Sequence, residues 1–258
     1  MSVVLLESAV VHYEALGRGR PVLMLHSWVG SWRYWISAMQ TLSSTYRVYA
    51  IDLWGFGDST KLPDKGHFEN QVALIDRFLD QMGIGRIALV GHGLGAAVGL
   101  EFARRNADFV DRVVAVGYPV RSGALDLRLS QASVTEVAQW LLGDNTGVEA
   151  VISETPKVNT KIVQQCLAEL PSTPDWNSLP TCLLVNGGND PLASPPMAEA
   201  DQVLPENCHE FYLDQAGHFS MLEDDLRFNR LLMEFLALGS GESPRSLQLK
   251  EEWKRRVR

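Results

Sequence analysis

The sequence predicts an α/β protein with a mainly parallel, doubly wound sheet of about eight strands and a small helical cap. Short apolar segments alternate along the chain with longer segments whose apolar residues recur at helical spacing. Residues 22–25 are wholly apolar, which is typical of a parallel strand covered on both faces. The alternation stops over residues 119–178, which carry only short helical patterns, and it then resumes. This interruption is the predicted cap.

The predicted strands are short apolar runs bounded by turn residues, and the predicted helices carry an apolar stripe with a period of about 3.6 residues. The strands are residues 2–6, 9–15, 22–25, 47–51, 87–90, 111–116, 181–185 and 208–213. The core helices are residues 32–44, 68–82, 94–106 and 223–236. The core therefore comprises residues 1–118 and 179–238, the cap residues 119–178, and a linker with a basic tail residues 239–258.

Charge and composition argue against several classes of function. The formal net charge of −8 argues against a general nucleic-acid binder. No apolar run reaches the length that spans a membrane, and the first residues lack the pattern of a signal peptide. The three cysteines are odd in number and widely spaced, which predicts reduced thiols in a cytoplasmic protein.

Glycine-rich and polar blocks follow the predicted strands, at the sheet edge where parallel α/β proteins bind ligands. The blocks are His-Ser-Trp-Val-Gly-Ser at 26–31, Asp-Leu-Trp-Gly-Phe-Gly-Asp-Ser at 52–59, Gly-His-Gly-Leu-Gly at 91–95, Gly-Gly-Asn-Asp-Pro at 187–191 and Ala-Gly-His-Phe at 216–219. The third block lacks the G-x-G-x-x-G spacing of a dinucleotide loop, and the histidines lack a metal-ligand spacing. We therefore expect no cofactor and no metal.

These blocks resemble those of the α/β-hydrolase superfamily, and of its small bacterial ester, carbon–carbon and epoxide hydrolases in particular. The resemblance runs over residues 9–236 and includes the G-x-S-x-G nucleophile elbow. It implies that His218 is the catalytic histidine and that Asp190 holds its tautomer. It also implies that the backbone N–H groups of Trp28 and Leu94 form an oxyanion hole.

Gly93 occupies the position that holds the nucleophile in this family. Glycine carries no oxygen or sulfur, so a covalent intermediate at this position is excluded. Glycine does suit the positive φ of an elbow, which strains other residues. Ser27 stands where the family usually has glycine, on the oxyanion side, which makes it a poor substitute nucleophile. Replacing Gly93 by Ser is expected to place a hydroxyl within reach of His218.

Three interpretations of Gly93 remain open at this point. In the first, the protein hydrolyses a small apolar ester or carbonyl compound with an Asp190–His218 dyad and no covalent serine intermediate. In the second, it is an inactive pseudo-hydrolase that binds a small molecule or a partner protein. In the third, it is a serine hydrolase whose nucleophile has been replaced by mutation.

The same resemblance implies structural or ligand-lining roles for other residues of the blocks. His26 and Asp52 are expected to brace their loops, and His92 is expected to pack beneath the elbow without a catalytic role. Trp54 and Phe219 are aromatic residues beside the site and predict, with Trp28, an apolar or aromatic small-molecule ligand.

The C-terminal tail is predicted to be a short basic helix. Leu249, Trp253 and Val257 are spaced four residues apart, with basic residues between them, after a Gly-Ser-Gly linker. The tail either docks on its own domain, whose remaining charge is −11, or reaches a partner or a second copy of the chain to form a homodimer.

Overall fold

The structure is a computed structural model that describes residues 2–118, 126–143, 149–171, 174–192, 204–239 and 241–247. Its strands are β1 (Ser2–Leu6), β2 (Ala9–Gly17), β3 (Arg20–Leu25), β4 (Tyr46–Ile51), β5 (Ile87–His92), β6 (Val110–Val116), β7 (Thr181–Gly187) and β8 (Cys208–Leu213). They form one sheet in the order β1-β2-β4-β3-β5-β6-β7-β8. The pairs β1–β2 and β2–β4 are antiparallel and the other pairs are parallel. The predicted fold class is thereby confirmed.

The α-helices connect these strands. Within the described residues they are α1 (Ile36–Leu42), α2 (Phe68–Met82), α3 (Leu94–Arg105), α4 (Arg128–Gln131), α5 (Val134–Leu142), α6 (Glu149–Ile152), α7 (Thr160–Ala168), α8 (Ser220–Glu223) and α9 (Asp225–Ala237). Helix α1 packs beside α9, and α2 packs beside α3. Residues 22–25 of β3 are fully buried, as expected for a strand between β4 and β5 with both faces covered.

Two of the predicted core helices are each divided in the structure. The predicted helix 32–44 begins as a 3₁₀ turn at Trp32–Trp35, and α1 follows it. A residue of another loop holds the first residue of this turn, because the Trp32 backbone N–H donates to Asp52 Oδ1 at 2.9 Å. The predicted helix 223–236 corresponds to α9, and the short helix α8 precedes it. Asp224, with φ −137° and ψ 57°, separates the two helices.

The segment between β6 and β7 contains helices α4 to α7, where the sequence places the cap. It touches the core through α7, which packs beside α2. The Asn159 backbone N–H donates to the carbonyl of Gly55 at 2.9 Å, and Lys157 Nζ lies 3.2 Å from Asp58 Oδ1. The division of the chain into core and cap stays a prediction.

After α9 the chain continues along the start of β8. Ser243 Oγ donates to the Glu206 carbonyl at 3.2 Å, and Arg245 Nη2 donates to the Leu204 carbonyl at 2.6 Å. The predicted amphipathic tail covers residues 246–258, of which residues 248–258 lie outside the described residues. In the part of the chain that is described, no helix has both the length and the apolarity needed to cross a membrane.

The buried pair His12–Asp52 makes a testable contribution to stability. His12 Nδ1 lies 3.0 Å from Asp52 Oδ2, and this hydrogen bond raises the pKa of His12 above its usual 6.5. A raised pKa in the folded state stabilises the fold below pH 6.5, and this stabilisation is lost as the pH rises through the raised value. We expect the free energy of unfolding in urea to fall across that window in the wild type and to change less in His12→Gln. Equal pH dependence in the two proteins would contradict this assignment.

Candidate active site

The elbow between β5 and α3 is built around Gly93. Gly93 has φ +48° and ψ −108°, a conformation that only glycine adopts without steric strain. Its backbone N–H donates to the Val116 carbonyl at 2.9 Å, which ties the turn to β6. The flanking Gly91 and Gly95 approach so closely that a Cβ on Gly91 would overlap the Gly95 backbone. The structure therefore forms a complete elbow that lacks only its side chain.

The space beside Gly93 is filled by Ser27. A Cβ on Gly93 would overlap the Ser27 hydroxyl oxygen and lie 3.0 Å from Ser27 Cβ and 3.1 Å from Trp28 Cε2. A serine at position 93 would therefore need the Ser27 hydroxyl to turn away, and the expectation that Gly93→Ser supplies a hydroxyl for His218 stays a prediction. In the sequence, the signal for this contact is the serine that stands where the family usually has glycine.

His218 and Asp190 are brought together as a buried pair. His218 Nδ1 donates to Asp190 Oδ2 at 2.9 Å, and Asp190 Oδ1 accepts the Leu192 backbone N–H at 2.8 Å. His218 is fully buried and Asp190 is 5% exposed. With Nδ1 donating, Nε2 is the free acceptor of the ring, and it has no hydrogen-bond partner among the described residues. This tautomer is the one that a general base requires.

A hydrogen-bonded chain connects the His218 backbone to the loop after β3. His92 Nε2 donates to the His218 carbonyl at 3.0 Å, and the Tyr34 hydroxyl donates to His92 Nδ1 at 3.2 Å. The Ser27 backbone N–H donates to the Tyr34 hydroxyl at 2.5 Å. Burial lowers the pKa of His92 well below its usual 6.5, so this ring is neutral and fits both bonds. No motif in the sequence indicates this role of Tyr34.

The loop before His218 is held by one further carboxylate, which no sequence motif indicates. Glu223 at the end of α8 accepts the backbone N–H of Gly217 at 2.5 Å and that of Phe219 at 3.1 Å. The two donors flank His218 on both sides, so Glu223 fixes the backbone from which the imidazole projects. Only the proximity of an acid to the Gly-His-Phe block could have suggested this role.

The two oxyanion donors predicted from the sequence belong to two different segments. Trp28 follows Ser27 in the loop after β3, and Leu94 is the first residue of α3. Among the described residues, neither backbone N–H donates a hydrogen bond to another protein group. Their part in an oxyanion hole stays a prediction.

His26 and Asp52 make hydrogen bonds that brace their loops. His26 Nδ1 donates to the Ser27 carbonyl at 2.8 Å, and His26 Nε2 accepts the Leu53 backbone N–H at 3.0 Å. Both ring nitrogens are therefore engaged, and burial lowers the pKa of His26, so that the ring is neutral. Asp52 accepts the backbone N–H groups of Trp32 at 2.9 Å and Asp58 at 3.0 Å.

A narrow apolar crevice opens beside Trp28. Trp28 and Val29 form one wall, and side chains of α4, α5 and α7 form the other. Its interior offers about 10 Å³ to the centre of a water molecule, room for about one water. Trp54 and Phe219 do not line it. Phe219 packs behind the site, with ring centroids 5.2 Å from His218 and 5.1 Å from His92.

One group of potential metal ligands lies outside this site. Ligand atoms of His12, Asp52 and Asp58 lie within 4.8 Å of one another. The Asp58 carboxylate is paired with Lys157 at 3.2 Å and with Arg33 at 3.6 Å. Because these cations and the hydrogen bond from His12 to Asp52 already compensate the carboxylates, we assign no metal to this group.

The sheet, the elbow and the buried His–Asp pair define the class of protein. The family model described as alpha/beta hydrolase fold matches residues 20–178, and the chain belongs to this family. It is similar to a soluble epoxide hydrolase of Corynebacterium sp., with 34% identity over 104 residues that cover 40% of this chain and 36% of that protein. It is also similar to a 2-hydroxy-6-oxo-2,4-heptadienoate hydrolase of Pseudomonas putida. The identity is 28% over 253 residues, which cover 86% of this chain and 91% of that protein. A solved hydrolase of Pseudomonas aeruginosa has a TM-score of 0.79 at 19% identity, covering 92% and 98% of the two chains.

Proposed function

We propose that the protein hydrolyses a small apolar ester or carbonyl compound without a covalent serine intermediate. The observation that carries this proposal is the buried His218–Asp190 hydrogen bond of 2.9 Å, which leaves His218 Nε2 as a hydrogen-bond acceptor. A base in this state can take a proton from water, which replaces the side chain that Gly93 lacks. Membership of the hydrolase family supports the reaction class.

The proposed reaction proceeds through one tetrahedral intermediate. His218 Nε2 accepts a proton from water while the water oxygen forms a bond to the carbonyl carbon, and the carbonyl π pair moves to oxygen. The backbone N–H groups of Trp28 and Leu94 stabilise the resulting oxyanion. Collapse of the intermediate breaks the bond to the alcohol oxygen, which receives the proton from His218. Asp190 stabilises the imidazolium that exists between these two proton transfers.

The apolar walls of the narrow crevice beside Trp28 favour a short, uncharged acyl group over a long one. Its walls carry apolar side chains, including those of Val29, Val137 and Val163, and its interior is narrow. Apolar walls exclude a charged acyl chain because burying a charge without a partner is unfavourable. We therefore propose acetyl esters as substrates in preference to long-chain esters.

The proposal includes the organisation predicted from the sequence, with a core of residues 1–118 and 179–238 and a cap of residues 119–178. Its support is that α4, α5 and α7 supply one wall of the crevice and the core supplies the other.

We also propose a cytoplasmic location. In support, all three cysteines, Cys166, Cys182 and Cys208, are buried and free.

The alternative function is a binding protein without turnover. The observation that favours it is Gly93 itself, because the elbow is retained in full while its side chain is absent. The apolar walls of the crevice beside Trp28 suit a small apolar ligand as well as they suit a substrate.

Pre-steady-state hydrolysis of p-nitrophenyl acetate tests the proposed function. We expect turnover above the buffer rate and a linear release of p-nitrophenolate from the first turnover, because no acyl-enzyme accumulates. We also expect no mass adduct after incubation with a fluorophosphonate. A burst equal to the enzyme concentration would overturn the direct attack of water. Turnover at the buffer rate, with 4-nitroacetanilide raising the unfolding temperature, would favour the binding protein instead.

A further inference from the structure

The Ser27 hydroxyl is a buried polar group for which the described residues provide no hydrogen-bond partner. The residue is fully buried, and its backbone is held on both sides. Its N–H donates to the Tyr34 hydroxyl at 2.5 Å, and its carbonyl accepts His26 Nδ1 at 2.8 Å. Native proteins rarely leave a buried hydroxyl unpaired, and such groups call for a functional explanation.

The position of this hydroxyl coincides with that of the missing elbow side chain. A Cβ on Gly93 would overlap Ser27 Oγ, so Oγ stands where a side chain at the elbow would begin. A hydroxyl from the loop after β3 therefore occupies the space beside Gly93. This hydroxyl reaches the elbow from the oxyanion side, next to the Trp28 N–H.

His218 also lies beside the elbow, because its ring centroid is 4.4 Å from that of His92, the residue before Gly93. The Gly93 N–H donates to the Val116 carbonyl, and the next residue, Gly117, packs on the His218 ring. A Cβ on Gly117 would lie 3.1 Å from His218 Cε1. Ser27 and His218 thus both lie beside the elbow, and each has a buried polar atom without a hydrogen-bond partner among the described residues. The two atoms are not hydrogen-bonded to each other, so His218 cannot deprotonate Ser27 directly in this arrangement.

We propose that Ser27 Oγ and His218 Nε2 together hold the water that attacks the substrate, an inference that rests on the proposed function. The water donates one O–H to Ser27 Oγ and the other to His218 Nε2, and a lone pair on its oxygen faces the carbonyl carbon. The proton goes to Nε2 as the new C–O bond forms, and Ser27 keeps its own proton throughout. Ser27 is thus a catalytic residue that the elbow motif does not indicate.

Ser27→Ala tests this role, because it removes the hydroxyl and leaves both backbone hydrogen bonds in place. We expect kcat for p-nitrophenyl acetate to fall about tenfold to 100-fold with KM changed less than about twofold, as for a group that acts in the transition state. We also expect an unfolding temperature equal to or above that of the wild type, because the hydroxyl has no partner to lose. A merely structural serine would lower the unfolding temperature and leave kcat unchanged.

Ser59→Ala is the matched control. Ser59 is 2% exposed, donates to the Asp52 carbonyl at 2.7 Å and accepts the His12 N–H at 2.9 Å, and neither of these partners belongs to the proposed reaction. This variant should lose stability and keep its kcat.

An active wild type with unchanged kcat in Ser27→Ala would overturn the role of Ser27 and leave the proposed function intact. A wild type without turnover would overturn both, and fluorophosphonate labelling of Ser27 would make it a nucleophile instead.

Exchange of the two residues tests the shared space without relying on wild-type activity. Gly93→Ser alone meets the Ser27 hydroxyl, whereas Ser27→Gly with Gly93→Ser frees the space for the new side chain. We expect the double variant to react with a fluorophosphonate at least about tenfold faster than Gly93→Ser, and Ser27→Gly alone not to react. Equal labelling of the single and double variants would show that Ser27 does not occupy the elbow position. If neither variant folds, Ser27→Ala still decides the proposal.

Discussion

His218→Gln is expected to lower kcat for p-nitrophenyl acetate by about 10²- to 10⁴-fold, the range that a general base contributes. Glutamine keeps a planar polar group of similar reach, so the packing against Phe219 and His92 changes little. Its amide cannot accept a proton from water at neutral pH, and therefore the first step of the proposed reaction is lost. Steady-state kinetics with folded protein, checked by circular dichroism, measures the effect.

His209→Gln provides the matched control for this loss. His209 lies at the start of β8, whereas the site lies at the carboxyl ends of the strands, and the substitution is chemically the same. We expect kcat within about twofold of the wild type, as for a residue that touches no reacting group. Activity that survives His218→Gln, or falls equally in both variants, would remove the histidine from the proposed mechanism.

Trp35→Ala is expected to lower the free energy of unfolding by roughly 3–5 kcal/mol. Trp35 is fully buried and joins the 3₁₀ turn after β3 to α9, with ring centroids 5.2 Å from Tyr34 and 6.3 Å from Phe228. Removing the indole leaves a cavity that these rings cannot close without moving. Urea unfolding measures the loss, which should appear in thermal melts as a shift of about 10 °C.

Ile36→Ala, at the next position, separates cavity formation from helix propensity. Ile36 is 41% exposed and begins α1, so its truncation creates no closed cavity. We expect a change within about 0.5 kcal/mol. If the two variants lose similar free energy of unfolding, the packing of Trp35 between the turn and α9 does not account for the loss in Trp35→Ala.

Much of the site could be predicted because its residues follow strands in a fixed order. Parallel strands end at one edge of the sheet, so the blocks after β3, β5, β7 and β8 had to converge. The structure accordingly pairs His218 with Asp190, residues 28 positions apart in the sequence. The divided helices were not predictable from periodicity, since the break after Trp35 depends on Asp52, a residue of another loop.

The sequence by itself determined the sheet, the order of the motifs and the absence of a nucleophile at Gly93, because strand patterns and side-chain chemistry are local properties. Only the tertiary structure decided that Ser27 fills the space beside Gly93 and that Tyr34 and His92 connect its loop to His218. These contacts join residues from different strand ends, and they depend on distances that the folded sheet sets. A hydroxyl lost at one position can be supplied from another only when the fold brings the two positions within contact.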